Sequence, residues 1–85
     1  MHPNPFNPCT TVVLELDRDR HVQLRIYDLA GRPVVTLVDG VQPAGTHHMT
    51  WNGGDDRGRT VPTGGYVAQL VSEGRKESRT VSLIR

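Results

Sequence analysis

Between residues 22 and 27 the side chains alternate without a break: Val22, Leu24 and Ile26 fall on one set of positions, Gln23, Arg25 and Tyr27 on the other. Successive side chains of a strand leave opposite faces of a sheet, whereas a helix needs apolar residues three and four apart. The segment is therefore a half-buried strand. The same period places Val12, Leu14 and Leu16 together in residues 11–16, and His47, Met49 and Trp51 together in residues 47–51. Residues 34–38 are apolar but irregular, and the three-residue step from Val34 to Leu37 predicts a bulge. Residues 66–71 and 77–84 read as two further strands, and no segment sustains helical spacing beyond a turn.

Turn formers punctuate these runs. The charged stretch Asp17-Arg18-Asp19-Arg20 reads as a solvated turn, and Gly31 in Asp28-Leu29-Ala30-Gly31-Arg32 supplies the positive φ of a tight connection. Asp39-Gly40 and Pro43-Ala44-Gly45 are expected to break the chain before the fourth strand, and the clusters at residues 52–58 and 62–65 are loops. Turn signals at intervals of roughly 8 to 12 residues are those of a sandwich. The fold predicted is all-β, a two-layer antiparallel β-sandwich of about six or seven strands, given typical strand lengths.

A chain of 85 residues makes one domain, because at this size folding removes only about 60 to 65% of the unfolded surface from water. The core expected is Leu24, Ile26, Leu37, Trp51, Tyr66 and Leu70, and the few rings, Phe6, Tyr27, Trp51 and Tyr66, are structural. Trp51 should plug the space between the sheets, and Tyr66, after Gly64-Gly65, should tie its hydroxyl to nearby backbone in the manner of a tyrosine corner. Residues 1–9, with Pro3, Pro5 and Pro8, form an extended lead-in, since each proline fixes φ and lacks a donor.

Function classes narrow quickly. A net charge of +1 gives no basic face for nucleic acid. No stretch is long and apolar enough to span a membrane, and residues 1–8 lack the layout of a signal peptide. The one cysteine, Cys9, has no partner for an internal disulfide and no neighbour to lower its pKa. His47 and His48 are adjacent on a strand and leave opposite faces, so they do not share a metal. The glycine-rich loop with Asn52, Asp55 and Asp56 is the weak candidate for a hard cation, although it lacks the regular acidic spacing and closing Glu of an EF-hand; the first reading of its Asp and Asn is as turn residues that bond their own backbone. No catalytic constellation is present, so neither an enzyme nor a cofactor is expected.

Taken in order, the segments form a pattern. They are Asn4-Pro5-Phe6-Asn7-Pro8 with Thr10; Val22, Leu24, Ile26-Tyr27-Asp28 and Gly31-Arg32; and Leu37-Val38-Asp39-Gly40. Then follow Ala44-Gly45 with His47, Trp51-Asn52-Gly53, Gly58, Val61-Pro62, Gly64 with Tyr66, and the closing strand from Arg79 to Arg85. This set resembles the type A C-terminal sorting domain of the type IX secretion system, and it is similar to the immunoglobulin-like domain of flagellar hook-capping proteins. Cys9 stands where the sorting family has Ser or Thr, and Arg85 where it often has Lys.

The resemblance implies one immunoglobulin-like sorting domain over residues 1–85, monomeric, carried by a passenger that is secreted or held at the cell surface of a Gram-negative bacterium after passing the periplasm. Its implied partners are the outer-membrane secretion machinery and a sortase-like peptidase. Arg79, Val81, Leu83, Ile84 and Arg85 are the sorting-signal candidates, in a terminal strand suited to recognition by strand addition. The alternative is a structural accessory domain of an extracellular enzyme or of a hook-cap scaffold.

Overall fold

The computed structural model describes residues 10–84. The lead-in of residues 1–9, with Phe6 and Cys9, and the terminal Arg85 lie outside the described residues. Six strands follow in order: β1 Thr10–Leu16, β2 Arg20–Asp28, β3 Pro33–Gln42, β4 Gly45–Trp51, β5 Gly64–Ser72 and β6 Arg75–Leu83. They form an all-β sandwich in which β1 pairs with β4 in one sheet, and the other sheet runs β3-β2-β5-β6. Every ladder is antiparallel.

Alternation decides what is enclosed. β2 sits between β3 and β5, so both its edges are paired, and its inward residues Val22, Leu24 and Ile26 are 0%, 1% and 0% exposed. Val12 and Leu14 of β1, Trp51 of β4, Tyr66 and Ala68 of β5 and Leu83 of β6 close over them. Each large aliphatic side chain enclosed in this way contributes about 1.5–3 kcal/mol. Leu24, Ile26, Trp51 and Tyr66 are thus buried, while Leu37 and Leu70 are only partly buried and pack against the cluster from its margin.

The third strand differs from expectation. Asp39 and Gly40 do not break the chain; they pair with Gln23 and Val22, and β3 runs on to Gln42. A turn-prone dipeptide is tolerated there because β3 is an edge strand, where one side of the backbone needs no ladder. Register shifts skip Val34 and Leu37, the two residues whose spacing predicts a bulge. Both are half-buried against the core.

The connections sort to the two ends of the sandwich. The β2–β3 turn, the long loop 52–63 and Trp51 lie at one end, as the pairs Asp28↔Tyr66 and Thr10↔Trp51 require. The tight β1–β2, β3–β4 and β5–β6 turns lie at the other.

Candidate functional site

Among the described residues the histidines have separate partners. His47 Nε2 lies 2.6 Å from the Pro43 carbonyl oxygen, and His21 Nε2 lies 3.3 Å from Asp39 Oδ1. His48 pairs with Val13 on the outer face of the smaller sheet. Among the described residues no group of three or more His, Cys, Asp or Glu side chains is placed to hold a metal ion.

The acidic loop shows why. Asp55 Oδ1 accepts the backbone N–H groups of Arg57 and Arg59 at 2.9 and 2.8 Å, and Oδ2 accepts Arg59 Nε at 3.1 Å. Asn52 Oδ1 accepts the N–H of Gly54 at 3.0 Å, and Asp56 Oδ1 accepts the N–H of Thr36 at 3.3 Å. The oxygens named as cation ligands are turned onto the chain's own donors, and the loop is thereby fastened to β3. The arrangement is the turn chemistry of Asx residues.

The same device occurs twice. Asp28 Oδ1 accepts the N–H groups of Ala30 and Arg32 at 2.9 Å each, and Oδ2 accepts Arg32 Nε at 3.0 Å. In both loops the glycine N–H bonds back to the aspartate carbonyl, Gly31 to Asp28 at 3.0 Å and Gly58 to Asp55 at 2.9 Å. Gly31 and Gly58 take φ values of 87° and 78°, a region a side chain disfavours. The shared sequence is Asp-x-x-Gly-Arg at 28–32 and 55–59. In Asp28 and Asp55 the arginine's backbone N–H is the main influence holding the carboxyl below its usual range, because donors favour the charged form.

Beside these loops Trp51 is 1% exposed and donates its Nε1–H to the Gly54 carbonyl at 2.9 Å. The Tyr66 ring meets it edge to face, centroids 5.0 Å apart at 76°, and the Tyr66 hydroxyl donates to the Pro62 carbonyl. Both polar tips are satisfied inside the protein, so this aromatic pair supplies no ligand platform.

The opposite end is open. A groove of about 580 Å³ runs between β1 and the inner face of β5 and β6, floored by Leu24, Ala68 and Leu70 and flanked by Arg20, Glu77 and Arg79. It exists because the smaller sheet has two strands against four. At its end Arg20 bonds Asp17 and lies 3.3 Å from Glu73, which also accepts Arg18 at 2.8 Å. The Arg20 hydrogen bond is the first cause of the lowered Asp17 pKa. No local sequence signal foretells this groove, since it arises from which strands are neighbours.

The terminal strand is less free than its sequence implies. The register Tyr66↔Val81 and Gly64↔Leu83 turns Arg79, Val81 and Leu83 toward the inner face. Leu83 is 0% exposed, so no partner reads its side chain while β6 stays in place. Ile84, just past the strand, is 76% exposed.

A family model described as the FlgD Ig-like domain matches residues 8–76. Among solved structures, the crystal structure of FlgD from P. aeruginosa is similar with a TM-score of 0.62 and 25% sequence identity, the likeness covering 89% of this chain. The matched region is 59% of that FlgD chain. No curated protein matches the chain.

Proposed function

Because the chain belongs to the FlgD Ig-like domain family, we propose that it is a non-catalytic structural module, an accessory β-sandwich of a larger scaffold of the hook-cap type. The observation that carries this reading is the internal use of every polar loop group that looks like a ligand: Asn52, Asp55 and Asp56 are bonded to the chain's own N–H groups. What remains for partners is surface and strand edge, the means of a scaffold rather than of a catalyst. Of the two families that the sequence resembles, the matched model supports the hook-capping one.

Type IX sorting is a second reading, favoured by one observation: β6 lies at the edge of its sheet and is followed directly by the exposed Ile84. In that reading the outer-membrane machinery contacts this edge and a sortase-like peptidase later removes the domain. Removing residues 82–85 does not separate the readings, because it takes Leu83 out of the core. Ile84→Asp and Arg79→Glu, both on exposed residues, do. In the parent protein, the scaffold reading predicts unchanged export with either substitution and loss of the assembled parent when Trp51→Ala unfolds the domain. Loss of surface delivery by Ile84→Asp, with the domain still folded, overturns the scaffold reading in favour of sorting.

A further inference from the structure

The larger sheet ends in two edges of different character. β3 opens with Pro33 and carries two register shifts, devices that keep another strand from adding. β6 has neither: its ladder with β5 holds one register from Gly64↔Leu83 to Ser72↔Arg75, and the strand contains no proline. Residues 75–80 are all exposed. Near its far end the edge is occupied, because Thr10 Oγ1 donates to the Ser82 carbonyl at 2.9 Å. The run left open is residues 75–81, and its midpoint is Ser78.

The charges on that run are Arg75, Lys76, Glu77 and Arg79, and among the described residues none of them makes an ion pair within the chain. Basic residues on an edge ordinarily repel strand addition. Here one register sets opposite charges across from each other with no like pair. An antiparallel strand of the same sequence, paired with Ser78 opposite Ser78, sets Glu77 of each copy directly across from Arg79 of the other. The two-fold axis makes this pair twice. Glu77 and Arg79 lie on the same face of β6, since their β5 partners Leu70 and Ala68 do, so the opposed side chains meet. Lys76 then faces Thr80, and Arg75 lays its methylene stem along Val81.

We propose that β6 pairs antiparallel with β6 of a second copy of this chain about Ser78, joining two four-stranded sheets into one of eight strands. This goes beyond the scaffold reading and holds for either fate of the parent. Opposite charges directly across an antiparallel pair stabilise it and like charges destabilise it. A seven-residue strand pair is a small interface, so the association is expected to be weak and reversible.

Sedimentation equilibrium of the 85-residue chain tests the pairing. The wild type should be a reversible dimer. Glu77→Arg and Arg79→Glu each place like charges at both symmetric positions and should weaken it by about tenfold or more. The doubly exchanged variant, Glu77→Arg with Arg79→Glu, restores the opposition and should return to within about threefold of the wild type. Thermal melting of dilute samples, where all four are monomers, should be nearly the same. A wild type that stays monomeric up to about 1 mM, single variants that dimerise unchanged, or an exchanged variant no tighter than the singles overturns the proposal.

Discussion

The two ends of this sandwich are held by different physics. At the Trp51 end, two Asp-x-x-Gly-Arg loops and a tryptophan–tyrosine pair close the core, with each buried polar tip bonded to backbone. At the other end, Arg18, Arg20, Asp17 and Glu73 link the turns through ion pairs over a groove of about 580 Å³. Packing and satisfied hydrogen bonds are short-ranged and little affected by salt; ion pairs are screened and weak where the partners are exposed, as Arg18, Asp17 and Glu73 are, although the Arg20 side chain is only 15% exposed. The closed end should therefore carry the stability, and the open end should carry the tolerance to change.

The sharpest way to break this contrast is to empty the closed end. Trp51→Ala should lose about 3–5 kcal/mol, much of the stability of a small domain, whereas Leu16→Ala, on the lip of the groove, should lose less than about 2 kcal/mol. Urea unfolding measures both, and equal losses would erase the distinction between the ends. Leu83→Ala should resemble Trp51→Ala in kind, at about 2–4 kcal/mol, and would show that the last strand is a core element.

Acid sharpens the comparison next. The carboxyls of Asp17, Asp28 and Asp55 all have lowered pKa values. A group whose folded pKa lies below its unfolded one adds stability that is complete above the unfolded value and disappears as pH falls through the folded one. Stability should thus be flat near neutrality and decline below about pH 4. Asp28→Asn with Asp55→Asn should make that decline shallower and lower the melting temperature at pH 7. Asp17→Asn should do less, because Asp17 is itself largely exposed and bonds one guanidinium, whereas Asp28 and Asp55 each accept two backbone N–H groups as well. An unchanged acid limb in the double variant would remove the loops from the account.

The smallest effects belong to the open end. Arg18→Ala should change stability by less than about 0.5 kcal/mol, and the change should vanish in high salt. Glu73 has a φ of 50° and precedes Gly74 at 80°, the two positive values of a tight hairpin turn that favours Asn-Gly. Glu73→Asn relieves a backbone conformation disfavoured by about 1 kcal/mol while losing ion pairs worth about 0.2–1 kcal/mol. A net gain of about 0.5 kcal/mol is expected in thermal melting. A clear loss would mean that the charged end is firmer than its exposure implies.

Much of this could be read along the chain. Val22, Leu24 and Ile26 announce a strand and its inner face, and the spacing of Val34 and Leu37 marks the places where β3 bulges. Asp39-Gly40 misleads, because a turn-forming dipeptide and an edge strand make similar demands on the backbone. Asn52, Asp55 and Asp56 read in the sequence as turn residues and as weak cation candidates at once, because composition does not say which N–H groups a side-chain oxygen will meet. For Asp55 the repeat of Asp-x-x-Gly-Arg at 28–32 and 55–59 is a further signal of a turn. Leu83 resembles a terminal signal in the sequence, yet its pairing opposite Gly64 puts it inside.

Local order alone determined that the chain builds strands and, where the alternation is regular as in β2, which side chains face inward, because the backbone alternates its side chains every two residues whatever the rest of the chain does. Tertiary structure alone decided that β1 joins β4 across some thirty residues of intervening chain, that β2 takes the centre, and that β1 and β6 are left with a groove between them. Those outcomes depend on which strands become neighbours, a choice made by the burial of whole faces against one another that no local period records.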